Sequence, residues 1–174
     1  MKLELFTNLF VRKIQCIYDA EQQIIEAMPT VIDLCTSQEL QQTLQKHFDE
    51  TERQIEKIEM LADELNIELE GSSNLGMEGL IDDMMDLLAE NEKSPILDAA
   101  IIASAQEIEH YEIGSYGTAA EWAEQLGFDN AKKVLAEIMN EEKTADALLS
   151  QLAETLINKE AIETNGQIAM GRMG

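Results

Sequence analysis

The stretch QEIEHYEIGSY, residues 106–116, sets Glu107, Glu109, His110 and Glu112 inside an otherwise apolar helical pattern. Followed in both directions, a period of three and four joins Ile101, Ala105, Ile108, Ser115, Ala119 and Trp122 into one stripe, and Glu112 falls on that stripe where a hydrophobe belongs. A buried carboxylate is costly unless it is protonated, paired or bound to a cation. What the chain does with Glu112 therefore depends on where its other helices carry their acids.

The same periodicity recurs three more times. A first helix from about residue 3 to 34 has the seam Phe10, Ile14, Ile17, Glu21, Ile24 and Met28, with Pro29 expected to kink rather than end it. A second, about 38–68 with Thr36 or Ser37 as N-cap, reads Leu44, His47, Thr51, Gln54, Ile58 and Leu61, with Glu50 beside the seam. A short helix at about 77–91 precedes the long helix of Glu112, which spans about 95–126. The last, about 130–157 with Asp129 as its cap, reads Leu135, Ile138, Glu142, Ala145, Leu149 and Leu152. Each long helix thus brings one acid to its middle.

Spacing along the chain tests whether these acids meet, because two residues of a helical hairpin lie at one height only when the turn falls midway between them. Glu21 and Glu50 have their midpoint at residues 35–36, and Glu112 and Glu142 have theirs at Gly127, both inside the expected turns. The carboxylates of each hairpin are expected to face one another. The two hairpins are joined by about 25 residues, far more than antiparallel neighbours need, so the architecture is an all-α four-helix bundle with a long crossover carrying a short fifth helix. One domain over 1–160 is expected, with 161–174 a loosely held tail because periodicity fades and glycine appears.

Composition agrees and narrows the functions. Aromatic residues are only 5% of the chain and there are two prolines, which favours helix. Thirty-five acids against 12 bases give a net charge of −23, which repels phosphate backbones and anionic lipid, so neither nucleic acid nor a membrane surface is an expected partner. No apolar run is long enough to span a bilayer, and the N-terminus lacks the features of a secretory signal, so a cytoplasmic protein is expected. Cys16 and Cys35 have no CxxC partner and read as reduced thiols. The nine methionines read as core and interface filling.

Several blocks occur in order along residues 3–160: YDAEQQ, HFDETERQIEKIE, MEGLIDDM, EIEHYEIGSYGT, AEQLGF and EEKTAD. In them the chain resembles the YciF-like bacterial stress proteins of the ferritin-like superfamily. The resemblance implies a homodimer of five-helix protomers and a dinuclear iron or manganese site in the four-helix core. The superfamily's paired glutamates fall on Glu21, Glu50, Glu112 and Glu142, and the extra glutamate of rubrerythrin-like members falls on Glu109. The rival for Glu109 and Glu112 is a solvent-facing place on a broad helix face. The chain also departs from the pattern. Glu-x-x-His would need histidines at the positions of Arg53 and Ala145, so Gln54 and Asp146, one residue further on, are the candidate replacements. His47 and His110 are read as outer hydrogen-bonding partners, with direct ligation the alternative, and Tyr18 as a carboxylate partner or a packing residue.

Three functions follow from this reading. The first is a redox metalloprotein acting on oxygen or peroxide during stress, which would be a di-metal oxidase, peroxidase or catalase-like enzyme. The second is metal buffering without turnover. The third is a structural or interaction protein of the stress response with a weak metal site. The expected dimer has a physical motive in the apolar short helix, with Leu80, Ile81, Met84, Met85, Leu87 and Leu88.

Overall fold

The computed structural model describes residues 5–171, with side chains as far as residue 164. Residues 3 and 4 of the expected first helix and 172–174 of the expected tail lie outside the described residues. Helices α1 (Phe6–Leu34) and α2 (Gln38–Leu65) form one hairpin, and α4 (Pro95–Leu126) and α5 (Asp129–Leu152) form the other. α1 packs beside α4 and α2 beside α5, which closes the four-helix bundle. The crossover between the hairpins, residues 66–94, carries α3 (Leu75–Ala89), which rests on α1 and α4. α1 continues through Pro29 to Leu34.

Local signals place most of these ends. Ser37 caps α2 by accepting from the Leu40 amide, and Ser94 caps α4 from just before Pro95 at the first helical position. Asn66 and Gly127 end α2 and α4 in the left-handed conformation, with φ of 53° and 75°. Two expectations are corrected. Asp129 is not the cap of α5: the cap position is Phe128, without a side-chain bond, and Asp129 is the first helical residue, where its charge suits the positive end of the helix dipole. Helical backbone also does not stop near 157. A π-helical turn at Ala153–Ile157 leads into α6 (Asn158–Gly171), which packs on α4. The wider π turn shifts the phase of the helix, and Ile157 is fully buried there.

The crossover is docked rather than loose. Asn74 caps α3 through the Met77 amide and also takes the Tyr111 hydroxyl, while its own amide groups bond Asp19 and the Cys16 carbonyl. Gln15 holds the approach to it, donating to the carbonyls of Glu68 and Glu70. At the far end of the bundle, buried Asp98 accepts from Thr36 and Ser37 at 2.5–2.9 Å, tying the α1–α2 turn to the start of α4. The apolar interior falls into two halves. One gathers Met28, Leu44, Leu97, Ile101 and Leu149, and the other gathers Phe10, Ile14, Ile58, Leu135 and Ile138. Between them every bundle helix crosses one polar layer.

Candidate metal centre

That layer is built by periodicity. The turn of α1 between Ile17 and Ile24 carries Glu21, and the turn of α2 between Leu44 and Thr51 carries His47. α4 supplies Glu109 and Glu112, three apart and so on one face, and α5 supplies Glu142 between Ile138 and Ala145. All five are buried, Glu142 at 0% exposure and Glu21 at 1%. His47, Glu109, Glu112 and Glu142 each bring one ligand-type atom to within 4.8 Å of the others. Glu21 lies against Glu112, and it accepts a hydrogen bond from the buried Tyr116 hydroxyl.

The electrostatics follow from burying like charges together. Burial pushes the Glu21 carboxyl up to about 7 and Glu109 up to about 8, the latter also raised by the charges of Glu21, Asp146 and Glu50. Glu112 and Glu142 are raised well above the usual carboxylate range, again by burial first and then by neighbouring acids. The four fall into two pairs, Glu21 with Glu112 and Glu109 with Glu142, each close enough to share a proton. Burial lowers His47 to about 4, so the ring is neutral at pH 7. Its Nε2 lies 3.1 Å from Glu109 Oε1, and its Nδ1 lies 3.9 Å from Glu142 Oε2.

These groups fit a cation. Glu21 Oε2, Glu109 Oε2, Glu142 Oε2, His47 Nδ1 and Gln54 Oε1 are buried without a donor when the carboxylates are ionised. An ionised carboxylate accepts only, so those oxygens need either a proton shared within each pair or a metal ion. Four ionised carboxylates carry four negative charges, which two divalent cations would cancel. A neutral imidazole whose Nε2–H is fixed by a carboxylate leaves Nδ1 as a free lone pair, the arrangement common for metal-bound histidine.

The remaining expected residues stand around this layer. Gln54 is buried and donates to Glu142 Oε1 at 2.6 Å and to Glu141 Oε2 at 3.1 Å. Glu50 sits at the rim, its Oε1 3.1 Å from Lys46 Nζ. Asp146 accepts from Gln106 at 2.7 Å and lies 3.5 Å from the exposed His110, between α4 and α5 and outside the four-group cluster. Tyr18 faces outward and donates to Glu59. The carboxylate pairing expected within the first hairpin is replaced by pairing across hairpins: Glu21 on α1 meets Glu112 on α4, while Glu50 turns to Lys46. Tyr116 could by sequence either bond a carboxylate or merely pack, and in the structure it bonds Glu21. Its place four residues after Glu112, on the same helix face, was the signal that it belongs to the layer.

A family profile described as "Domain of unknown function (DUF892)" matches residues 6–162. The chain belongs to this family. Within it, the chain is 38% identical to protein YciF of Escherichia coli K12 over 162 residues, covering 92% of this chain and 98% of that one. The crystal structure of the E. coli stress protein YciF superposes with a TM-score of 0.85 over 90% of this chain and 99% of its own. YcfI of Rhodopseudomonas palustris, provisionally described as a structural protein, is also 38% identical, with a TM-score of 0.82 over 86% and 95% of the two chains. A Xanthomonas campestris protein at 16% identity shares the fold, with a TM-score of 0.73. The chain is an all-α bundle like these structures, and none of its described helices is long and apolar enough to cross a membrane.

Proposed function

We propose that this protein is a ferritin-like stress protein whose polar layer holds two iron or manganese ions and reacts with a small oxidant such as oxygen or peroxide. The observation that carries the reading is the convergence of His47, Glu109, Glu112 and Glu142 inside 4.8 Å, with orphaned acceptors left over. Glu21, Glu109, Glu112, Glu142 and His47 would hold the ions, with Glu50 as a further oxygen donor from the rim. When bound, such a pair supplies Lewis acidity and electron transfer toward the oxidant. The chain's own part is distinct. The two apolar halves of the core exclude water, Tyr116 orients Glu21, and Gln54 fixes one oxygen of Glu142. A cytoplasmic setting belongs to the same proposal, as does a homodimer. Leu80, Ile81, Met85 and Leu87 of α3 pack against the protomer's own core, so on that helix only Leu75 is left as a large exposed hydrophobe for a partner.

The second reading, a structural or interaction role with a weak metal site, is favoured by one feature. Protons shared within the Glu21–Glu112 and Glu109–Glu142 pairs would satisfy the carboxylates without any ion, leaving only His47 Nδ1 and Gln54 Oε1 without a partner. Metal content after anaerobic reconstitution separates the two. About two ions per chain, lost in Glu142→Ala, are expected from the metal reading, whereas a trace content in the wild-type protein sinks it. Peroxide consumption by loaded wild-type protein, set against Glu142→Ala, then distinguishes turnover from metal buffering.

A further inference from the structure

Glu50 lies beside the cluster without joining it. With Thr43, Lys46, His47 and Glu109 it lines a narrow cleft between α2, α4 and α5. Its Oε1 is held 3.1 Å from Lys46 Nζ, one turn earlier on α2, and the two side chains are 23% and 58% exposed. At the inner side of the cleft, Glu109 and His47 are at least nine-tenths buried, and Glu109 Oε2 and His47 Nδ1 have no partner. Two residues of the cleft wall, His47 and Glu109, thus also belong to the buried cluster, while the solvated Lys46–Glu50 pair stands at its rim. One of the cleft's carboxylates, Glu50, is paired with a lysine of the same helix.

We propose that Lys46 is a latch on this cleft, holding Glu50 off the cluster until a divalent cation entering between α2 and α5 takes that carboxylate as an additional oxygen ligand. The inference rests on the metal reading above and adds the residue that governs uptake. An ion pair one helical turn apart and this exposed shifts an equilibrium only about twofold, so a dication backed by buried ligand atoms displaces the ammonium. Lys46 also repels the incoming ion, so its removal acts on the rate of uptake as well as on affinity.

Cobalt(II) alone, added to the full-length chain and followed by its visible absorption in titration and stopped-flow, tests the latch in wild type, Lys46→Gln, Glu50→Gln and the double variant. The expected result is unchanged stoichiometry in Lys46→Gln with uptake and affinity increased about two- to fivefold. That increase disappears when Glu50→Gln is also present. Equal rates and affinities in wild type and Lys46→Gln overturn the latch and leave the metal centre standing. An increase that persists undiminished in the Glu50→Gln background also overturns it, because Lys46 then acts as a bare charge. Failure of every protein to take up cobalt defeats the metal reading itself, a separate outcome. Both substituted side chains reach solvent, and far-ultraviolet dichroism checks that the helices are kept.

Discussion

Replacing Glu109 by glutamine is expected to stabilise the metal-free protein at pH 8 and to leave it unchanged near pH 4.5. Burial and the surrounding acids raise this carboxyl from an ordinary value of 4.5 to about 8. Its proton is therefore held more firmly in the folded chain than in the unfolded one. Stability associated with that proton is fully present below 4.5 and is lost as pH climbs through about 8. At about 1.4 kcal/mol per tenfold change in proton affinity, the full difference is about 5 kcal/mol. Part of the repulsion is shared with Glu142 and persists in the variant, so a gain of roughly 2–4 kcal/mol is expected at pH 8. In a chain of this size that corresponds to roughly 5–15 °C in melting temperature. His47, lowered by burial to about 4, adds an opposite slope below its unfolded value of 6.5 but is neutral in both folded and unfolded chains at pH 8, where the gain is read. The assay is thermal and urea unfolding of chelator-stripped wild type and Glu109→Gln at pH 4.5 and pH 8. A variant that is no more stable at pH 8, or that gains equally at both pH values, refutes the claim that Glu109 sits in a cluster of uncompensated acids.

Other consequences follow from the same geometry. Tyr116→Phe removes the hydroxyl that lowers the proton affinity of Glu21, so about 1–3 kcal/mol of stability should be lost, more at pH 8 than at pH 5, as read by urea denaturation. Asn74→Ala strips the α3 cap, orphans the Tyr111 hydroxyl and frees the Cys16 carbonyl. A loss of about 2–4 kcal/mol is expected, with faster hydrogen exchange in residues 66–94. Manganese(II) at a hundredfold excess over its dissociation constant should raise stability by about 2.7 kcal/mol, seen as a shift in melting temperature that is reduced in Glu142→Ala.

Much of this arrangement is written along the chain. The period of three and four placed Glu21, His47, Gln54, Glu112 and Glu142 on the inner faces of their helices, and the structure buries every one of them. Turn residues fixed the hairpin lengths, so the acids had to share one layer whatever the details of packing. The ordered blocks of residues placed the chain in its family. A helix face, however, is defined by sequence only to within a fraction of a turn, and the polar end of a glutamate or lysine reaches well beyond it. Side-chain direction and the neighbouring helices therefore decided the rest. Glu109 turned inward to His47, while Glu50, at a comparable edge, was drawn outward to Lys46. Tyr116 reached Glu21 across the bundle, and Asp146 and His110 met each other outside the layer. Sequence alone determined that acids would be buried at mid-bundle, because helical periodicity is local. Only the tertiary structure decided which of them face one another, because that depends on contacts between helices far apart in the chain.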